Sequence, residues 1–369
     1  MKLFSLLLSL LFSLSLAAQA PTAKPVYFEK AAEGFVRFYF DKNYFLVDKD
    51  CPFKSIERVS KINVATNTFE GEFKDFDYNG RVLLTGNYTA GAKDGVFRSF
   101  HANGALKWEI TFKNNLAVGE AKYFYPDGKP MLRLGFTENS YRILDFWDQR
   151  TRHRVVDGNG QYEFKMPFDL YNEYGYPFFE RKGKIKDGLP EGYWTTNLLD
   201  DKNKRVLFTE EQYAENGALV DAYNLFEDKD YKTPITLIPA EHFLYAENLT
   251  YKTCSFDDFS GFYQYLTDKF DEQFQGLAEK QVATQSFEYQ VRLNKSGTPL
   301  NSQVTKGLLD KKANSYLESV IRTIPYYFPS MDSQGKPIED LLTVSGSINH
   351  DHDGTFMFHS FSIQREKQP

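Results

Sequence analysis

The stretch GVFRSFHANGALKWEITFKNNLAVGEAKYFYPDGKPMLRLGF, residues 95–136, decides the fold of this chain. It contains a unit of 24 residues that also occurs one period earlier, from Gly71. Each unit starts with a glycine and has an Asn-Gly or Asp-Gly pair in the same phase. The phased glycines are Gly71, Gly95, Gly119, Gly80, Gly104 and Gly128.

This pattern predicts β-hairpins. Asn-Gly and Asp-Gly pairs favour tight hairpin turns because both central residues can take positive φ. The flanking segments VFRSFH and ALKWEITF alternate apolar and polar residues, as half-buried strands do. We therefore expect repeat turns at the six glycines and a long antiparallel meander with aromatic ladders on one face.

The hairpin array is predicted over residues 66–228. Its register loosens after residue 140, but a further unit is visible around Gly192 and Trp194, with its turn at Asn216-Gly217. Residues 21–65 contain aromatic strands without a clear phase. They are expected to form an N-terminal β region or cap, because terminal repeats are often atypical.

The phased glycines, aromatic residues and Asn-Gly turns together resemble the MORN family. The likeness is greatest to the bacterial variant found in YwqK-type proteins, and it extends over about residues 66–225. The resemblance implies a repeat scaffold that contacts proteins or lipids. It does not imply catalysis.

The character of the sequence changes after Asp230. Residues 229–256 are predicted to be a connector, because Pro234 and Pro239 interrupt regular strand pairing. Residues 257–369 follow the order helix, strand, strand, helix and strand, and TFMFHSFSI predicts one strand more. The predicted fold class is therefore mainly β, with an α+β C-terminal domain.

The order of elements in residues 257–350 resembles the C-terminal domain of TonB, a two-layer α/β module. FEYQVRLNKSGTPLNSQV matches the hairpin of that family, and Pro325, Pro329, Gly335 and Pro337 match its segment between helix and strand. The resemblance implies that an edge strand pairs with a short peptide of an outer-membrane transporter. The candidate partner-binding strand consists of Leu341, Leu342, Thr343, Val344 and Ser345.

Two features of that family are missing. Residues 3–16 contain no histidine where the family has a membrane helix with a functional one, and the repeat array replaces the long Pro-rich spacer. We therefore expect a module that binds its partner passively, without energy transduction.

The segment MKLFSLLLSLLFSLSLAAQA, residues 1–20, is typical of a signal peptide. Lys2 supplies the positive end, an apolar core follows, and Ala17, Ala18 and Ala20 are small residues for cleavage. The alternative is an uncleaved anchor, although the apolar run is shorter than the ~20 residues of a spanning helix. We expect an exported protein, periplasmic or associated with the envelope of a Gram-negative bacterium.

Export would permit a disulfide between the two cysteines, Cys51 and Cys254. The alternative is two isolated and partly buried thiols. Two cysteines are too few for a disulfide framework, and the chain has no CxxC signature for zinc or redox chemistry.

The sequence contains little that suggests chemistry. The net charge is −6 with both signs interspersed, which disfavours a nucleic-acid partner. His350, Asp351, His352 and Asp353 in the stretch NHDHDG could bind zinc, but Asp353-Gly354 favours a turn. Asp257-Asp258 and Glu210-Glu211 are adjacent pairs, which we expect to be solvated. No nucleotide or protease motif occurs in a convincing context, so no enzyme, cofactor or metal is predicted.

The resulting hypothesis is a non-catalytic exported envelope protein. Its repeat scaffold would present a TonB-like protein-binding domain, with a link to TonB-dependent transmembrane transport. The expected partner is an envelope protein such as an outer-membrane transporter, with membrane contact only through that partner or an uncleaved signal segment. The alternative is a MORN-repeat structural or surface-binding protein whose C-terminal domain only caps the array.

Overall fold

The computed structural model describes residues 24–366 except for 139, 169–170, 201, 253, 260, 275–283, 333–335 and 351–355. The signal segment predicted at residues 1–20 lies outside the described residues, as do Gly335 and positions 351–354 of the NHDHDG stretch. Within the described ranges, no helix is long and apolar enough to cross a lipid bilayer.

The first part of the chain forms one sheet of 18 strands within the described residues. Strands pair antiparallel with their neighbours in sequence, as predicted for a meander, and β5 pairs with both β6 and β7. The strands are β1 Phe28–Lys30, β2 Val36–Phe40, β3 Ile56–Asn63, β4 Thr68–Phe76, β5 Val82–Thr89, β6 Ala92–Lys93, β7 Gly95–Phe100, β8 Leu106–Lys113, β9 Leu116–Phe124, β10 Pro130–Phe136, β11 Tyr141–Trp147, β12 His153–Val156, β13 Asn159–Pro167, β14 Phe178–Lys186, β15 Leu189–Leu199, β16 Arg205–Tyr213, β17 Leu219–Asn224 and β18 Lys229–Asp230.

The Asn-Gly and Asp-Gly pairs form the hairpin turns, but with a different geometry from the predicted one. At the first turn, Gly80 N donates to Asp77 O at 2.9 Å, and only the glycine takes positive φ, at 76°. This is a longer turn that ends in a left-handed glycine, so the aspartate or asparagine before the glycine stays at negative φ. Gly104 and Gly128 repeat the arrangement, with φ of 83° and 81°.

The other three phased glycines are not at turns, so that part of the prediction is wrong. Gly71 and Gly119 lie inside strands and Gly95 starts one. They mark β-bulges: Ser60 alone faces the three residues from Gly71 to Phe73, because Lys61 pairs with Glu70 and Val59 with Lys74. The left-handed φ of these glycines allows the extra residues to be accommodated without strain.

The bulges recur along the array and curve it. Ile110 faces the three residues from Gly119 to Ala121, and Gly183 faces those from Gly192 to Trp194. Bulges bend a strand and increase its twist. A flat sheet of 18 strands spaced about 4.8 Å apart would separate its outer strands by about 80 Å. The ends are much closer here, as the contacts of the C-terminal domain show below.

The buried face of the sheet carries the expected aromatic ladder. Rings follow each other from Phe69 to Tyr88 at 5.3 Å, from Tyr88 to Phe73 at 5.2 Å, from Phe73 to Phe97 at 5.5 Å and from Phe97 to Phe112 at 5.0 Å. Aromatic pairs at such distances contribute about 0.5–1.5 kcal/mol beyond their buried area. This face is therefore the core of the array.

The C-terminal domain has the predicted order of elements, with two added short strands. Helices α2 and α3 contribute buried side chains such as Phe270 and Leu317 to one core with the sheet. Asp310 caps α3 by accepting hydrogen bonds from Lys312 N at 2.9 Å and Ala313 N at 2.8 Å. Its elements are α1 Phe256–Phe259, α2 Phe262–Phe274, β19 Gln285–Leu293, β20 Pro299–Lys306, α3 Lys311–Thr323, β21 Ser330–Met331, β22 Pro337–Ile338, β23 Asp340–His350 and β24 Phe356–Arg365.

Candidate functional site

The connector between array and C-terminal domain crosses the buried face of the array; we call residues 231–254 the strap. At its start, Ile235 N donates to Glu211 Oε1 at 3.2 Å. At its end, the strap pairs with the segment before β3: Leu46 N donates to Thr250 O at 2.7 Å and Lys252 N to Leu46 O at 2.8 Å. The strap thus runs from the last strands of the array back to the first.

A disulfide fixes the end of the strap. Cys51 and Cys254 are bonded at an S–S distance of 2.07 Å, with their Cα atoms 5.7 Å apart. Cys51 lies between β2 and β3, and Cys254 directly precedes the C-terminal domain. We call strands β1–β10, residues 28–136, the front of the array and strands β11–β18, residues 141–230, its back. The bond therefore joins the front of the array to the start of the C-terminal domain.

Aromatic packing holds the middle of the strap. Its short 3-10 helix, His242–Asn248, places Phe243 on the array. The Phe243 ring lies 5.1 Å from the Trp108 ring and 5.9 Å from that of Phe97, and it is inclined to each by 29°. Phe243 is buried, so the strap completes the hydrophobic core.

Two buried ion pairs lie beneath the strap. In the front pair, Arg58 donates to both oxygens of Asp75, at 2.8 and 2.9 Å, and neither side chain is exposed. Burial opposes the charge of Arg58, but Asp75 and the neighbouring phenols raise the pKa of the guanidinium above its usual value. Burial also raises the pKa of Tyr88, which keeps this phenol neutral as a partner of Arg58.

In the back pair, Arg181 bonds Glu211, and both side chains are again inaccessible. Glu211 Oε1 also accepts a hydrogen bond from Tyr231 OH at 2.8 Å, so the strap supplies part of the hydrogen bonding of this carboxylate. Glu211 was expected to be solvated, and that expectation is wrong. Adjacent strand residues point to opposite faces, so Glu210 bonds Tyr193 at the surface while Glu211 faces the core.

A second set of bulges directs one side chain per repeat towards the strap. Leu83, Lys107 and Met131 each lack a directly opposed residue on the partner strand. They are 24 residues apart, like the phased glycines. Lys107 is the charged member, and its Nζ lies 3.8 Å from Glu241 Oε1 of the strap.

Two cavities flank Lys107 along the strap. One, of about 250 Å³, is lined by polar groups including Ser99 and by Trp108. The other, of about 420 Å³, is mainly apolar and lies between the array and residues 236–240 of the strap. The larger volume is within the usual range of small-molecule sites, about 300–1,000 Å³.

The C-terminal domain also contacts the back of the array. Tyr171, in the loop between β13 and β14, packs its ring against those of Phe262 at 4.9 Å and Tyr265 at 4.7 Å. Lys229 Nζ of β18 lies 3.5 Å from Glu272 Oε1 of α2. The segment from Cys254 to Glu272, much of it helical, spans at most about 40 Å, so the array is curled and its two ends approach the same domain.

The predicted partner-binding strand is not at an edge. Leu341, Leu342, Thr343, Val344 and Ser345 belong to β23, which pairs with β19 on one side and β24 on the other. The prediction of a free edge is wrong because the final strand, β24, pairs with the side of β23 that would otherwise be unpaired. The sheet order is β20-β19-β23-β24.

The two real edges of this sheet differ. On β24, Phe358 N donates to Asp271 Oδ1 at 2.8 Å and Ile363 N to Tyr263 OH at 3.0 Å, so helix α2 occupies that edge. Among the described residues, no strand pairs with the outer side of β20. Five of the eight residues of β20 are exposed and none is buried, and Leu300 is 57% exposed.

The other site predictions have different outcomes. The NHDHDG alternatives, turn or metal, remain predictions because most of that stretch lies outside the described residues. Elsewhere, the described side chains include no group of three His, Cys, Asp or Glu that could hold a metal ion. Asp257 is buried and bonds Arg365 at 2.8 Å, which contradicts the expectation that it is solvated.

The fold and the strap together define a β-hairpin repeat protein with an internal core. Two of its repeats, residues 93–114 and 117–136, match the family model described as MORN repeat variant. A comparison with curated proteins finds no match. The two matched repeats contain Gly95 with Gly104 and Gly119 with Gly128, and they belong to the three units in which the phased glycines keep a strict spacing of 24 residues.

Proposed function

We propose that this chain is a non-catalytic scaffold of the cell envelope that presents a protein-binding C-terminal domain. The observation that carries the proposal is the unpaired outer edge of β20. The domain that contains β20 is held against both the front and the back of the array. The disulfide and the Tyr171 contacts restrict the orientation of the domain. A fixed orientation lowers the entropy cost of binding a partner.

Export to the periplasm or the envelope is part of the proposal. A disulfide between distant cysteines supports it, because such bonds persist in oxidising compartments and are rare in the cytosol. The segment at residues 1–20, typical of a signal peptide, supports it independently.

The proposed partner is an outer-membrane protein. The resemblance to TonB favours a transporter and thereby a link to transmembrane transport. The partner would add an extended segment to β20, since free main-chain N–H and C=O groups at a sheet edge accept another strand. The chain would contact the membrane through that partner or an uncleaved signal segment. No nucleic acid, cofactor or reaction forms part of the proposal.

The experiment is site-specific photocrosslinking in intact envelopes. A photoreactive residue replaces Gln303, an exposed position of β20, in the full-length chain. The matched control carries the same residue at Leu116, which is exposed on the array. We expect an integral outer-membrane protein to be crosslinked from position 303 and not from position 116, with mass spectrometry identifying it. Equal capture from both positions, or none from 303, contradicts the proposal.

A second candidate function follows from the Tyr171 contacts. Here the C-terminal domain only caps the array, and the repeats themselves are the structural or surface-binding part. Tyr171 OH donates to Tyr326 O at 2.9 Å, and Tyr265 OH to Glu173 Oε2 at 2.7 Å, as expected of a built interface. In this case Tyr171→Ala lowers the stability of the array and its binding to envelopes, whereas crosslinking from β20 yields no partner.

A further inference from the structure

The apolar cavity beneath the strap has the properties of a ligand site. Three parts of the chain line it. They are strands β9 and β10 with Phe124 and Met131, strands β13 and β14 with Phe164 and Phe179, and the strap around Ile238. No single repeat could form it. It exists only because the strap crosses the curled array at this place.

The titratable side chains that line the apolar cavity are basic, apart from the phenol of Tyr125. Its lining, all within the described residues, includes His101, Lys107 and Lys165 but no aspartate or glutamate. Lys165 Nζ donates to Asn203 at 2.6 Å and is thereby directed elsewhere. Lys107 remains close to the cavity, and Glu241 is 3.8 Å from its ammonium group, longer than a hydrogen bond.

Lys107 also lines the smaller, polar cavity on its other side, together with Lys42 and with Glu241, its own ion-pair partner. An anionic head beside Lys107 would therefore share the two lysines with Glu241. Trp108 lines that cavity as well, and its buried Nε1 has no hydrogen-bond partner among the described residues. Buried donors without a partner are uncommon, and a bound acceptor would satisfy this one. Lys107 thus lies between an apolar cavity and a polar cavity that has room for the head group of a ligand.

We propose that this paired cavity binds a free single-chain amphiphile with an anionic head, such as a long-chain carboxylate. The chain lies in the apolar cavity against Met131 and Phe164, and the carboxylate lies beside Lys107. Aliphatic chains gain free energy on leaving water in proportion to the buried area, and the lysine selects the charge of the head. This site is independent of the protein partner proposed for β20.

The first test is calorimetric titration of the full-length protein with octanoate, decanoate and dodecanoate below their micelle concentrations. We expect Kd to fall about fourfold for each added methylene until the cavity is filled. Dodecanol and dodecylamine should bind more weakly than dodecanoate. Absence of carboxylate binding, or association only with anionic phospholipid vesicles, overturns the proposal.

Variants locate the site. Met131→Trp and, separately, Ile238→Trp fill the apolar cavity from its two walls, and each should weaken dodecanoate binding at least about tenfold, because the added ring excludes the chain. Val220→Trp is the matched control, since Val220 is the equivalent bulge residue in β17 and is 66% exposed. Near-ultraviolet circular dichroism checks folding. Unchanged affinity in a folded cavity-filling variant refutes the assignment.

The Lys107→Met variant tests whether Lys107 binds the carboxylate head of the ligand. Binding of dodecanol should be unchanged, and the preference for dodecanoate over dodecanol should disappear. A preserved preference excludes Lys107 as the counter-charge.

Discussion

Arg58 at the front of the array and Arg181 at the back are both fully buried beside a buried carboxylate. Asp75, the partner of Arg58, comes from the adjacent strand β4, and both of its oxygens bond the guanidinium. Glu211, the partner of Arg181, comes from β16, two strands away, and one of its oxygens accepts bonds from the strap. The front pair is complete within the array, whereas the back pair is complete only when the strap is docked.

The comparison shows that one repeat fold can close its core in two ways. The front uses strands in strict phase and an ion pair between neighbours. The back, where the phase drifts, relies on the strap for hydrogen bonds to Glu211 and for the carbonyl of Leu237 that accepts from Tyr162 OH at 2.5 Å. The back should therefore depend on the strap for hydrogen bonds to buried polar groups, whereas the front depends on it for aromatic packing.

The largest effects should come from breaking the ion pairs. Asp75→Leu and Glu211→Leu each leave a buried arginine without its partner, which costs about 3–5 kcal/mol of unfolding free energy, measured by urea denaturation. Only Glu211→Leu should also expose the strap to limited proteolysis in the native protein. Equal cleavage of the strap in both variants would show that the two pairs do not differ in this respect.

Removing the aromatic anchor of the strap comes next. Phe243→Ala should lower the unfolding free energy by about 3–4 kcal/mol, because a buried ring between Trp108 and Phe97 leaves a cavity. Leu237→Ala, in the back, should cost about 2–3 kcal/mol, since the smaller side chain is lost while the main-chain bond to Tyr162 remains. The reverse order, read from urea midpoints, would contradict this ranking.

The disulfide should have a smaller effect and one that is local to the front. Replacing both Cys51 and Cys254 by serine should cost about 2–4 kcal/mol, mainly through the greater freedom of the unfolded chain. Hydrogen exchange should accelerate at Leu46 N and Lys252 N, which bond across the end of the strap, while Ile235 N stays protected. Reduction of the unsubstituted protein is the control and should give the same pattern.

The bulge glycines should give the smallest effects. A Cβ at Gly95 or Gly192 meets no atom within 4 Å, so alanine there costs only backbone strain. We expect about 1–2 kcal/mol, more at Gly95 with φ of 103° than at Gly192 with φ of 69°. Gly192→Asn should recover part of the loss, because asparagine tolerates left-handed φ. Equal midpoints for alanine and asparagine would argue against backbone strain as the cause.

The hairpins and the elements of the C-terminal domain could be predicted because their signals are local. An Asn-Gly pair and alternating residues determine a hairpin over about twenty positions, and Leu317, Val320 and Ile321 mark helix α3 by their spacing. The phased glycines were visible too. Their role in bulges was not, because a bulge is defined by the register of two strands.

The strap and the free edge of β20 could not be predicted from local patterns. Phe243 meets Trp108 across 135 positions of sequence, and nothing around Phe243 distinguishes it from other loop aromatics. Strand order is likewise a non-local property, and the sequence pattern alone predicts an edge at β23 although β24 pairs with it. The burial of Glu211 had one available signal: it alternates with the exposed Glu210 on a strand.

The course of the strap also sets an order of events during synthesis. The aromatic face formed by strands between residues 56 and 136 has no cover until residues 231–254 have been made and have docked on it. Contacts between such distant segments form slowly, because closing a long loop costs entropy before any contact is gained. The front repeats therefore keep an uncovered aromatic surface while the back repeats are being translated. The Cys51–Cys254 bond can form only after the strap has been translated as well.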